Sequence, residues 1–348
     1  MLSSGRKYFA ASNSAEGFKN YYANVFDKND FSKIYVIKGG PGTGKSSFMR
    51  EIASRADEKG FSAILIYCSS DPASLDGVIL PELKIAVLDG TPPHTYEPSL
   101  AGAVESIVDL GAFWKESTLR GSRRQIERLN DQRAECFERG YRYLSAYKRI
   151  SENMGSLIIP GVKLEKIKKL VSRLVLGVSG EGRTEYLLAR SIGMNGRVSF
   201  ESYFENAEIY YRIDDYFETG HIFMRELCSA LQRVGADMRL SPNPVICERL
   251  DALAVLPHGV TFEISDRETD SRVINMKRFV DGVHLATARG EWRAAKHLRD
   301  RALELAEREF AKLKKYHFTL EEIYGAAMDF EAKEQFCAEF CNKIFAKS

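Results

Sequence analysis

From Ile34 to Ser47 the chain reads Ile-Tyr-Val-Ile-Lys-Gly-Gly-Pro-Gly-Thr-Gly-Lys-Ser-Ser. Gly39, Gly44, Lys45 and Ser46 fall at the spacing G-x-x-x-x-G-K-S. Glycines carry no Cβ, so consecutive backbone N–H groups can converge on an anion. A helix starting at this point adds the partial positive charge of its N-terminus. Lys45 would reach outer phosphate oxygens as a mobile point charge, and the Ser46 hydroxyl would complete a Mg²⁺ shell. Gly39, Gly40, Pro41, Gly42, Thr43, Gly44, Lys45, Ser46 and Ser47 therefore form the expected set around a nucleoside triphosphate such as ATP.

Such a site needs a second element, an apolar strand ending in a carboxylate that helps to hold the magnesium. Leu83-Lys-Ile-Ala-Val-Leu-Asp89 has that shape, which makes Asp89 the expected metal-side acid. Gly90 follows it, so the adjacent water-activating Glu of many ATPases is missing. Asp71 and Asp76 in the loop Cys68–Gly77, Glu82, and His94 are the remaining candidates to orient a nucleophile. Loops leaving the C-terminal ends of parallel strands line the ligand crevice, which favours Asp71 and His94 beside Lys45 as the catalytic groups.

These side chains need strand, loop and helix in sequence. Ile34–Ile37 supplies an apolar run, and Phe48, Ile52, Ala53 and Ala56 recur at helical spacing up to Gly60. Gly60–Tyr67 reads as the next strand. The chain has 348 residues, 44% hydrophobic and 28% charged, with a formal net charge of +2. That mix fits a soluble globular protein of about two domains, offers no polybasic surface for nucleic acid, and contains no apolar run that would span a membrane. Six scattered cysteines without a CxxC pair read as free thiols in a reducing cytoplasm, and no histidine spacing signals zinc.

Shifted by 175 residues the chain partly matches itself: Ile34-Tyr35 with Ile209-Tyr210, Phe48-Met-Arg-Glu51 with Phe223-Met-Arg-Glu226, and Ser54, Gly60 and Leu65 with Ser229, Gly235 and Leu240. Leu80-Pro81 and Leu256-Pro257 extend the series, as do Tyr8–Ala11 with Tyr186–Ala189 and Ile107–Leu110 with Val273–Met276. The series predicts two tandem copies of one α/β unit. In that register the second copy has Asp214 and Asp215 for Gly39 and Gly40, Thr219 for Gly44, Gly220 for Lys45 and His221 for Ser46. The acidic position falls on Ser265 or Asp266. Carboxylates beside a triphosphate are unfavourable, so only the first copy is expected to bind nucleotide.

The fold class expected is α/β: tandem P-loop NTPase-like units with mostly parallel sheets, each with an appended long-helix hairpin. The first domain spans 1–180, with its core over about 1–114 and its arm over about 115–178; Ser179-Gly-Glu-Gly182 marks the boundary. The second spans 181–348, with its core over about 183–280 and its arm over about 288–346. Within the arms, helices are predicted over Lys115–Ser151, Val162–Leu176, Glu291–Tyr316 and Leu320–Phe345. Their charged faces read as solvated, with a protein partner as the use they best suit.

On these motifs the chain resembles a bacterial family of largely uncharacterised ATPases built from two tandem P-loop NTPase halves. The resemblance rests on Tyr8-Phe-Ala-Ala, Lys38–Ser46, Cys68-x-x-Asp-Pro-x-Ser-Leu-Asp-Gly, Leu80-Pro-Glu-Leu-Lys, Asp89-Gly-Thr-x-Pro-His94 and Ile107-x-x-Leu-Gly-x-Phe-Trp114. It implies a P-loop fold, ATP binding, and membership of Asp71, Asp76 and His94 in the site. In that family the second half commonly carries its own P-loop, from which this chain departs. A Mg²⁺-dependent ATPase is the leading expectation. A small-molecule phosphotransferase with Asp71 as base and a nucleotide-gated scaffold with negligible turnover are the alternatives.

Overall fold

A computed structural model describes residues 6–93, 95–268 and 271–346. Short aliphatic runs punctuated by turns give the first half strands β1 (Arg6–Phe9), β2 (Ala11–Ser14), β3 (Gly17–Asn20), β4 (Lys33–Lys38), β5 (Ile64–Tyr67), β6 (Leu75–Leu80), β7 (Ile85–Asp89) and β8 (Glu105–Asp109). Its helices are α1 (Tyr22–Val25), α2 (Lys45–Glu58), α3 (Glu116–Gly121), α4 (Arg123–Ile158) and α5 (Leu164–Leu174). The second half has strands β9 (Thr184–Tyr186), β10 (Arg190–Gly193), β11 (Gly196–Ser199), β12 (Ile209–Asp214), β13 (Asp237–Pro242), β14 (Leu250–Leu256), β15 (Val260–Ile264) and β16 (Arg272–Asn275). Helices α6 (Ser202–Glu205), α7 (Gly220–Arg233), α8 (Gly282–Gly325) and α9 (Phe330–Phe345) complete it.

The two halves repeat one topology. The first six-stranded sheet has the order β1-β5-β6-β7-β4-β8, and the second, read in the same sense, β9-β13-β14-β15-β12-β16. In each sheet a single strand, β6 or β14, runs against the other five. Neither antiparallel strand is anticipated from the sequence as read above. The motif Leu-Asp-Gly-Val-Ile-Leu of β6 begins with turn-forming residues, yet all six are buried. Antiparallel β2–β3 and β10–β11 hairpins flank the sheets. At the centre, Phe9 and Leu188 exchange two backbone hydrogen bonds of 2.9 Å, joining the halves.

The arms do not fold back on their own halves as appended hairpins. Helices α4 and α8 lie antiparallel: Tyr147 packs on Arg299, the Phe310 ring fills the space over Gly140, and His284 Nε2 bonds the Leu157 carbonyl at 2.9 Å. Each arm then covers the opposite core. Ile167 and Val171 of α5 join Ile213, Phe223 and Leu227 of the second half. Phe340, Cys341 and Ile344 of α9 join Phe48, Met49 and Ile52 of α2. Burying an aliphatic or aromatic side chain contributes roughly 1.5–3 kcal/mol, so these crossed contacts tie the two halves together. Helix α8 also continues through residues 317–319, where the sequence reading placed a break; the turn falls instead at 326–329.

Candidate functional site

Strand β4 runs into the loop Gly39–Gly44, and α2 leaves it. Gly42 (φ 71°) and Gly44 (φ 78°) take left-handed conformations that glycine adopts without steric cost. The Thr43 hydroxyl donates to the Gly40 carbonyl at 2.9 Å and fixes the bend. No side chain caps α2, and its first turn contains no acid, so a positive helix end faces the loop without an internal anion. Lys45 Nζ donates to the carbonyls of Gly39 (2.8 Å) and Gly40 (2.9 Å). It also stands 3.5 Å from Asp89 Oδ2. Strand register explains the last contact, because β7 pairs with β4 so that Asp89 lies opposite Ile37.

Asp89 Oδ1 accepts from the Thr91 amide (2.8 Å) and hydroxyl. Ser46 Oγ accepts from the Leu75 amide at 3.0 Å, while Ser47 is exposed. Thus the structure brings Gly39–Ser46 and Asp89 to one end of the sheet. Asp76 comes there too. The antiparallel register that places Gly77 opposite Leu88 puts Asp76 against Asp89 one step further on. Both carboxylates are buried and face Tyr22, whose phenol is pushed well above its ordinary value by burial, then by their charges and a hydrogen bond to Asp76.

Asp71 is turned inward to its own loop, accepting from the Ala73 amide (3.2 Å) and the Ser74 hydroxyl (2.8 Å). Backbone atoms of Ser69 and Ser70 in the same loop are bonded by Ser191 and Met194 of the second half. Glu82 accepts from the Ser62 hydroxyl in the β6–β7 turn, at the other end of β7 from Asp89. His94 lies outside the described residues.

Sequence reasoning missed the roof of this loop, which comes from the arms. A methyl group added to Gly42 would stand 2.5 Å from the Glu321 carbonyl oxygen. One on Gly40 would stand 3.1 Å from the Tyr324 ring and 3.3 Å from Trp114, and one on Gly44 3.2 Å from Lys333 Nζ. A hydrogen bond from His317 holds the Glu321 carboxyl below its usual range, with the charges of Lys45 and Arg133 acting in the same sense. Burial lowers Arg133, and its Nε has no hydrogen-bond partner among the described residues. On helical periodicity alone, Arg133, Glu321 and Lys333 read as solvated charges. Only a comparison of the two arms by register marks them.

The equivalent loop of the second half is built differently, and the structure corrects its alignment. Five residues, 215–219, separate β12 from α7, against six in the first half. Thr219 Oγ donates to the Tyr216 carbonyl at 2.7 Å as Thr43 does to Gly40, so Thr219 answers Thr43 rather than Gly44. The Gly90 amide bonds the Ile37 carbonyl and the Ser265 amide the Ile213 carbonyl, so the place of Asp89 is taken by Ile264 rather than Ser265 or Asp266. The Asp215 carboxylate accepts from the Gly220 amide at 2.7 Å and occupies the head of α7 with an internal anion. Glu218, in a left-handed conformation at φ 58°, pairs with buried Arg299 and with Arg249.

No known protein family, curated protein or solved structure matches this chain. Its chemistry must therefore be argued from the loop itself. The first loop offers a helix head without a side-chain cap, an ammonium, a hydroxyl and two buried carboxylates, a set suited to a metal-complexed anion. A cavity of about 990 Å³ lies elsewhere, between the β8 edge and α9, lined by Tyr35, Ile107, Phe113 and Phe340. Among the described residues, no helix is long and apolar enough to cross a membrane.

Proposed function

We propose that the first half binds a nucleoside triphosphate with Mg²⁺ and hydrolyses it, and that the second half is a copy without nucleotide. The observation that carries this reading is the bend Gly39–Gly44 between a parallel strand and a helix whose first turn has no cap, with Lys45 between the loop carbonyls and Asp89. In the bound state Lys45 leaves those carbonyls for phosphate oxygens, exchanging neutral acceptors for charged ones, which make hydrogen bonds about twice as strong. Its ammonium then offsets charge that develops on the transferring phosphoryl group.

Ser46 Oγ and Asp89 Oδ2 would hold Mg²⁺, whose remaining positions are ordinarily taken by substrate oxygens and water. When bound, the ion neutralises phosphate charge and helps to set the line of attack. Among the described residues there is no cluster of three or more His, Cys, Asp or Glu able to hold a metal alone. Asp76, opposite Asp89 and near Tyr22, supports the metal-side carboxylate.

Asp71, already bonded to Ala73 and Ser74, is committed to its own loop and supplies the base for neither hydrolysis nor transfer. The test is a binding titration of the full chain with ATP, GTP and their diphosphates in Mg²⁺, followed by product release without any acceptor. Absence of triphosphate binding, or equal binding by Lys45→Ala, rejects the reading.

A further inference from the structure

Helices α3 and α8 begin at Glu116 and Gly282, and α5 and α9 at Leu164 and Phe330, so the two arms correspond at one offset of 166 residues. Asp109 and Asn275, which each accept a backbone amide two residues ahead, obey the same offset. Buried positions agree: Cys136 with Ala302, Gly140 with Ala306, Leu144 with Phe310, and Val171 with Cys337. At this register Lys333 of α9 answers Ile167 of α5. Ile167 is fully buried against the second core, as an arm residue docking on a hydrophobic sheet-and-helix layer should be. Its counterpart over the glycine loop is an ammonium-bearing side chain.

Lys333 is only 6% exposed, and its Nζ makes no hydrogen bond or ion pair among the described residues. Its acidic neighbours in sequence do not serve it: Asp329 caps the Ala332 amide at 3.1 Å, and Glu331 and Glu334 are exposed. The ammonium instead lies against Gly44, where the first turn of α9 meets the first turn of α2. The α9 head has its own carboxylate in Asp329, but the uncapped head of α2 and the ammonium of Lys333 meet at one point with no anion between them, an unfavourable arrangement unless one joins them. A parallel contrast strengthens the argument. Arg299 on α8 pairs with Glu218 of the second loop, whereas its counterpart Arg133 meets no carboxylate from the first loop and shares the field of Glu321 on α8.

We infer that Lys333, supplied by the second half, is a binding residue for the terminal phosphate of the triphosphate held by the first-half loop. The inference rests on the nucleotide-binding reading and deepens it: the site is composite, closed in the same chain by the arm of the silent copy. The loop amides hold the inner phosphates in either nucleotide with Lys45 reaching across to the outer oxygens, and Lys333 adds its charge only where a third phosphate is present.

Calorimetric titration of the full chain with Mg-ATP and Mg-ADP tests this, using Lys333→Met, which keeps the apolar stem, and Lys333→Arg, which keeps the charge. Lys333→Met should weaken ATP about 10-fold and change ADP less than two-fold, the loss expected for one charge-assisted contact. Lys333→Arg should recover most of the ATP preference. Equal losses for both nucleotides, or none, overturn the inference while leaving the nucleotide site standing; a parent chain that binds neither nucleotide overturns both. Thermal unfolding without nucleotide supplies an independent check. The Met variant should melt no lower than the parent, because it removes an unpaired buried charge, and a lower midpoint would mean that Lys333 stabilises the fold itself and would overturn the inference.

Discussion

The two glycine-loop regions differ most at the head of the helix. In the second half, Asp215 places a carboxylate on the Gly220 amide, and Glu218 draws in Arg299 and Arg249, so charge is balanced within the protein. In the first half, Gly44 heads α2 without a side-chain cap; Lys45 bonds the loop carbonyls beside Asp89, Arg133 shares the field of Glu321, and Lys333 lies against Gly44. One topology thus carries a helix head that holds an internal carboxylate and one that does not. Anion binding is the property that the difference predicts, since helix heads and ammonium groups both favour negative charge.

The most severe test of that contrast is Lys45→Ala. Mg-ATP affinity should fall on the order of 10³-fold, about 4 kcal/mol, by calorimetry, with turnover lost in parallel. A comparable break in the second loop should cost stability instead. Glu218→Ala removes one of the two carboxylates on buried Arg299, leaving Asp300, and chemical denaturation should show a loss of about 2 kcal/mol, the worth of a charged hydrogen bond. Removing the internal anion at α7 with Asp215→Ala should cost about 1 kcal/mol, the usual worth of a helix cap, without altering nucleotide affinity.

Asp215 also predicts a pH dependence. Burial raises its carboxyl above the ordinary value, outweighing the amides of Gly220 and Tyr216. A raised folded-state value means that its contribution is full below the unfolded-state value and declines as pH rises through the folded one. Thermal midpoints measured across the acidic range should therefore rise less with pH in the parent than in Asp215→Asn. The smallest expected effect is on function: His221→Lys, at the position that answers Lys45, should restore no nucleotide binding to the second half, because Asp215 and Glu218 remain.

Much of the first site was legible because its signal is local. Gly39–Ser46, the strand before it and the helix after it sit within one continuous stretch, and β7 ends at Asp89 as its apolar run suggested. Asp71 was legible as a loop acid but not as one engaged by its own turn, since that depends on the Ser69–Ser74 conformation. Strand β6 was hidden because Asp76 and Gly77 imitate a turn, while burial comes from neighbours on both sides. The crossing of the arms could not be read from periodicity, which shows that a helix has an apolar face and not which core receives it. Lys333 was invisible for the same reason. On a helical wheel it is one more charge, and only its equivalence to buried Ile167 sets it apart.

Helix α8 contains 44 residues, and at 1.5 Å per residue it is a rod of about 66 Å. One end begins beside the second core, where Asp281 caps it, and the other supplies Glu321 and Tyr324 above the first loop. Side chains so far along one shaft cannot lift away from Gly40 and Gly42 unless the shaft swings or bends. The second half then becomes the fulcrum, and a displacement at one end is delivered as a tilt to everything packed along its length.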